Sequence, residues 1–311
     1  MSDIIFFFIQ PYLEWLNPVE LFGESFAWIF LMGFLVSAAC ALVGNLMLLR
    51  NMTLMGDAIS HSLLPGVVIA FFLMQSRATL PMVIGALVAA MAASLLIEFI
   101  AKHSRIKKDA AIGIVFTCFF AFGVVLISLF GDRVDLDADC VLYGELGLTP
   151  FTEPVVLGNG FSVPLPVLRM AIILVLLMGV IAVFYKEWLC TAFDPALARS
   201  LGIPTSYFHY GFMILLSLVV VSAFESVGVI LVMAMLVFPG ATAALLVQGL
   251  PMRMVLSLVF AFTYALAGVQ LSLWWNANIA GSMAVAAGAL FLIVWLCSPK
   301  QGLIRSLAKI G

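Results

Sequence analysis

The chain has 311 residues, 65% of them hydrophobic and 10% charged, with a mean hydropathy of +1.22. Those proportions exclude an ordinary soluble domain, and long unbroken apolar runs exclude the alternating strands of an outer-membrane barrel, which leaves an all-α, polytopic membrane protein. The net charge of −2 identifies no partner, and no nucleic acid is expected.

Residues 1–26 read as an interfacial N-terminal segment. Phe6, Phe7, Phe8, Tyr12 and Trp15 suit the headgroup level, and Asp3, Glu14, Glu20 and Glu24 face water. The apolar patch 4–9 is too short for a secretory h-region. At about 20 apolar residues per crossing, a transmembrane domain over 27–299 holds eight or nine helices. Spans are expected near 27–49, 54–74, 80–100, 110–130, 168–188, 207–224, 228–248, 254–273 and 279–297, the second and sixth being short enough to bend or break. The five cysteines, Cys40, Cys118, Cys140, Cys190 and Cys297, show no CxxC spacing and read as packing residues.

Of the 14 Lys and Arg, 11 fall around Arg50, in Lys102–Lys108, in Lys186–Arg199, at Arg253 and in the tail 300–311. Arg77, Arg133 and Arg169 fall on the other side. The positive-inside rule therefore puts the N-terminus outside and the C-terminus in the cytoplasm.

The stretch Leu54–Val67 places Asp57 and His61 four residues apart at the head of an apolar run, on one helical face. A carboxylate with a neutral imidazole suits Mn2+, Fe2+ or Zn2+. The alternative is a helix cap and a packed polar residue. On a helix unbroken from Arg50, His61 lies about 16 Å in, near the bilayer midplane. Met47, Met52, Met55, Met233 and Met235 read as adaptable packing rather than a copper site.

The outward loop 131–167 carries Asp132, Asp135, Asp137, Asp139, Glu145 and Glu153. It forms either an acidic mouth that concentrates cations or a solvated loop. The segment Phe193–Pro204 has helix signals at both ends: Asp194 as N-cap, Pro195 at the first position, Gly202 closing it and Pro204 beyond. A short helix over 194–202, with Leu197, Ala198 and Leu201 to dock with, suits a protein contact; a connector on the membrane surface is the competing reading. Glu225 is a cation ligand at the entrance or a solvated turn residue. Pro65-Gly66 and Pro239-Gly240 mark expected kinks, and small residues over 86–94 and 281–288 permit close helix packing.

Leu54–Val67 (LMGDAISHSLLPGV), Phe193–Pro204 (FDPALARSLGIP) and Val227–Ala243 (VGVILVMAMLVFPGATA), joined by DAAIGIVF at 109–116 and VDLDADCVLYGEL at 134–146, resemble the permease subunits of bacterial ABC importers for Mn2+, Zn2+ and Fe2+, the ABC-3 family. The resemblance runs from about residue 28 to 297. It implies an inner-membrane permease working as a pair of identical or related copies, an ATP-binding cassette subunit below, and an extracytoplasmic metal-binding protein that delivers the ion. It makes 194–202 the coupling helix, with Asp194, Ala198 and Gly202 as the ATPase-coupling positions, and it makes Asp57 and His61 pathway ligands, with Glu225 unassigned. The form ending SHxxLPG favours manganese and iron over zinc. No cofactor is expected, the metal being cargo.

The chain has no G-x-x-x-x-G-K-[ST] loop and no H-E-x-x-H, and its three histidines are His61, His103 and His209. It is expected to be a transport subunit, not an enzyme. The rival from another class is a gradient-driven carrier with Asp57 and Glu225 as relay carboxylates, which has no evident need of the 194–202 helix.

Overall fold

The computed structural model describes residues 24–74, 79–130, 146–157 and 161–298. The expectations for the N-terminal segment up to residue 23, for Asp132, Asp135, Asp137, Asp139 and Glu145, and for the tail 300–311 lie outside the described residues.

The described chain is helical except for one hairpin. Its elements are α1 (Glu24–Leu49), α2 (Leu54–Met74), α3 (Thr79–His103), α4 (Lys108–Phe130), a 3-10 turn (Leu146–Phe151), β1 (Pro154–Leu157) paired antiparallel with β2 (Phe161–Pro164), α5 (Leu165–Val183), α6 (Tyr185–Phe193), α7 (Pro195–Ser200), α8 (Thr205–Leu246), α9 (Leu250–Trp275) and α10 (Ile279–Cys297). Eight helices, α1 to α5 and α8 to α10, are long and apolar enough to cross a membrane.

One of the eight makes two crossings. The 42 residues of α8 would run about 63 Å if straight, twice the hydrocarbon thickness of about 30 Å. Gly228 breaks the helix at φ 77°, ψ 171°, a conformation without strain only for glycine. Phe212, before the break, lies under the Arg50 guanidinium at 4.9 Å, while Gly240, beyond it, packs on Leu48 and Asn45 of α1. In a straight helix those two residues would be about 42 Å apart. The chain therefore folds back at Gly228, and the described residues make nine crossings, as the hydropathy suggested.

Pro65-Gly66 and Pro239-Gly240 lie within helix and serve packing: a methyl at Gly66 would collide with the Gly85 carbonyl of α3, and one at Gly240 with Leu48. The span expected over 168–188 ends at Val183, where Phe184 (φ −100°, ψ 18°) turns the chain into α6. The described part of the 131–167 loop is ordered into the 3-10 turn, whose Leu146 and Thr149 are buried, and the hairpin that leads into α5.

The core is built on α1 and α8. Met32, Val36, Val43 and Met47 of α1 are buried with Phe212, Leu231, Met235 and Leu236 of α8 and with Met55, Ile59 and Leu63 of α2. In the most apolar windows of α1 and α8, 67% of residues are buried, against 22% in α4. Helix α4 thus turns most of its surface to lipid or to another chain.

Candidate functional site

Helix α1 ends in a Schellman closure with Asn51 in the left-handed region at φ 52°. Asn51 N–H donates to the Leu48 carbonyl at 3.2 Å and Met52 N–H to that of Met47 at 3.1 Å. Four residues, 50–53, thus separate the two helices, and α2 starts afresh at Leu54. The helix is not continuous from Arg50, which corrects the expected depth: His61 is seven residues into α2, about 10 Å rather than 16 Å.

Asp57 falls in the first turn of α2, where the helix dipole favours a carboxylate. Met55, Ile59, Ser60 and Ser62 are buried toward the core; Ser60 Oγ donates to the Gly56 carbonyl at 2.9 Å and lies 3.8 Å from Met233 Sδ. Asp57 and His61 occupy the less buried stripe. His61 Nε2 is 3.3 Å from Asp57 Oδ1, with the side chains 24% and 38% exposed respectively. Two rings of α4 flank the imidazole, Phe116 at 5.0 Å and Phe120 edge-on at 5.6 Å. The result is a carboxylate–imidazole pair with an apolar wall on one side and an open side on the other.

Among the described residues His61 is the only ionic partner of Asp57, and no three His, Cys, Asp or Glu residues group as a metal cage. Arg50, the nearest cation in sequence, is engaged elsewhere. Its Nη2 donates to Thr191 Oγ1 at 3.1 Å, it stacks on Phe212, and burial pulls its pKa down to about 10. The methionines follow the packing reading, with Met47, Met52, Met55 and Met235 at most 3% exposed.

Glu225 does not join this pair. Its Oε2 takes a 2.9 Å ion pair from Arg169 Nη2 of α5, beside a cavity of about 270 Å3 that Thr149 and Glu153 also line. It sits three residues before the reversal, at the hairpin end of the bundle, as the sequence suggested.

The short helix is present as α7, with Asp194 as its N-cap accepting from Ala196 N–H at 2.9 Å and Leu197 N–H at 3.0 Å. A Schellman closure ends it: Gly202 at φ 80°, Gly202 N–H on the Arg199 carbonyl at 3.1 Å and Ile203 N–H on that of Ala198 at 3.0 Å. Ala198 is fully buried and so offers nothing to a partner, contrary to expectation. The exposed apolar groups are Phe193, Leu197 and Leu201, at 69%, 50% and 64%.

Sequence reading passed over a second ionisable centre. Glu98 of α3, its side chain 11% exposed, pairs with Lys102 Nζ at 3.3 Å, Lys108 Nζ at 3.3 Å and His209 Nε2 at 3.1 Å. The spacing of Glu98 and Lys102 was the available signal. Lys108 and His209 come from other helices, and no local pattern announces them.

Nine crossings among the described residues, a carboxylate–imidazole pair on one of them and a capped short helix describe a polytopic membrane protein. Residues 24–298 match the ABC 3 transport family, and the chain belongs to that family. It is a transport subunit, not an enzyme. It is similar to the zinc transport system membrane protein TroD of Treponema pallidum, 39% identical over 275 residues that make 88% of this chain and 74% of that protein. It is equally similar to the manganese transport system membrane protein MntD of Bacillus subtilis, 39% identical over 279 residues, 89% of this chain and 94% of that one. In three dimensions it is similar to PsaBC from Streptococcus pneumoniae solved in complex with Fab, with a TM-score of 0.77 and 32% identity over 96% of this chain and 100% of that chain.

Proposed function

We propose that this chain is the permease half of an ATP-driven importer that carries a divalent transition metal, Mn2+ ahead of Fe2+ or Zn2+, across the bacterial inner membrane. The observation that carries the reading is the Asp57–His61 pair, 3.3 Å apart and open on a span whose buried polar side chains are the hydroxyls of Ser60 and Ser62. Such a pair is costly in a membrane unless an ion repays it. Two ligands are too few to strip a first-row cation of its water, and a second copy, identical or related, supplies two more. Four such ligands bind loosely enough to release, as a conducting site must. The relatives named for manganese and zinc transport support the metal class, and the manganese preference rests on the SHxxLPG form.

ATP is hydrolysed by a separate cassette subunit docked on α7 through Leu197 and Leu201, with Asp194 and Gly202 shaping the helix and Ala198 seating it on the bundle. An extracytoplasmic metal-binding protein delivers the ion at the opposite end, where Glu153, Arg169 and Glu225 meet. The N-terminus is outside and the C-terminus cytoplasmic. The gradient-driven alternative draws no support from Glu225, whose charge is already matched by Arg169.

The test is the Mn, Fe and Zn content of cells lacking the chain and then regaining it, together with capture of the cassette subunit by wild type and Leu201→Glu. Restored manganese and lost capture by the variant are expected. Unchanged metal content, or unchanged capture, overturns the corresponding part. A cysteine at Arg105 reacting only from the cytoplasm and one at Thr152 only from outside would agree with the orientation; the reverse labelling contradicts it.

A further inference from the structure

The basic end of α3 carries a feature that ion passage does not use. A groove of about 510 Å3 runs along the helix, walled by Ala92, Leu95, Leu96 and Phe99 and ending at Lys102 and His103, with Tyr210 of α8 beside them. The wall residues recur at i, i+3, i+4 and i+7, one helical stripe, and Leu95, Leu96 and Phe99 are 50%, 40% and 58% exposed. An apolar stripe facing lipid is ordinary; the cationic and polar groups at its end are not. Lys102 and Lys108 share the single carboxylate of Glu98 with His209, so this end holds more positive than negative charge. Lys102 Nζ reaches Glu98 at 3.3 Å and Tyr210 Oη at 3.5 Å, which leaves one of its three donors free, and its side chain is 50% exposed. The His103 ring stacks on Phe99 at 4.4 Å with Nδ1 on the Phe99 carbonyl at 3.0 Å, so Nε2 is left without a partner among the described residues.

Length agrees with charge. Lys102 is ten residues from Ala92, about 15 Å along a helix, which is half of a hydrocarbon core of about 30 Å. The groove therefore has the reach of one acyl chain in one leaflet, with cationic and hydroxyl donors at headgroup level.

We propose that this groove binds an anionic phospholipid, its phosphate held by Lys102 with His103 and Tyr210 and one acyl chain laid along Leu95, Leu96 and Phe99. Basic pockets between spans suit such headgroups, whereas a choline headgroup would bring a second cation to an end already positive.

The test uses the full-length permease in nanodiscs of mixed phosphatidylglycerol and phosphatidylcholine. Retained lipid is read by native mass spectrometry, and a photoactivatable phosphatidylglycerol is mapped on the wild-type chain. Preferential retention of phosphatidylglycerol and a cross-link within 91–103 are expected. Lys102→Gln should weaken retention about fivefold, the worth of one lysine at a membrane surface. Leu95→Trp, which fills the groove without touching the ion cluster, should abolish it. Excess inorganic phosphate should leave the lipid in place. Equal retention of both lipids, a cross-link elsewhere, displacement by phosphate alone, or full retention by Leu95→Trp would each overturn the proposal.

Discussion

Asp57 and Glu98 are both carboxylates paired with an imidazole inside apolar helices, and they are built in opposite ways. Glu98 is 11% exposed and meets Lys102, Lys108 and His209 from three helices. Asp57 is 38% exposed and, among the described residues, meets only His61, four residues on along its own helix. A carboxylate whose partners converge from several elements is satisfied by the fold and ties those elements together. One whose only partner is its helical neighbour keeps coordination capacity in reserve. Arg169–Glu225 belongs with the first kind, two side chains from separate helices at 2.9 Å.

The largest effects are expected from disarming each centre in turn. Asp57→Asn and His61→Ala should each abolish metal uptake while membrane insertion and cassette capture stay normal, and the double variant should be no worse than either single, since one lost ligand already destroys a shared site. Uptake assays with detergent gel filtration of each variant check this. Glu98→Gln should do the reverse of Asp57→Asn. It removes the carboxylate that Lys102, Lys108 and His209 share and should cost about 2 kcal/mol of stability, read as a lowered thermal midpoint, while whatever protein folds still transports. A smaller effect separates Glu225: Glu225→Gln should cost about 1 kcal/mol, the upper end for a partly solvated pair, and leave most uptake intact. Uptake lost as completely as in Asp57→Asn would restore Glu225 as an ion ligand.

Much of this was legible in the sequence for stated reasons. Long apolar runs announced the crossings, and the i, i+4 spacing announced Asp57 with His61. The signals around Asp194 and Gly202 announced α7, because caps are local chemistry. Where the partner lies far along the chain, local pattern fell short. The two Pro-Gly pairs looked like kinks, and no local pattern showed that they pack tightly against α1 and α3, whereas the turn at Gly228, which takes a positive φ, was marked by the gap between two apolar runs. The burial of Ala198 was hidden for the same reason: a small residue suits a docking face or a seat against the bundle equally well, and packing decides which. His209 reaches Glu98 from a helix more than a hundred residues away, and no spacing rule extends that far.

Anomalous scattering at the manganese edge from crystals of the assembled permease soaked in Mn2+ locates the ion itself. A peak within coordination distance of the Asp57 carboxylate and the His61 imidazole, lost in Asp57→Asn, is expected. A peak confined to the Arg169–Glu225 end or the Glu98 cluster, with none at Asp57 and His61, would contradict it.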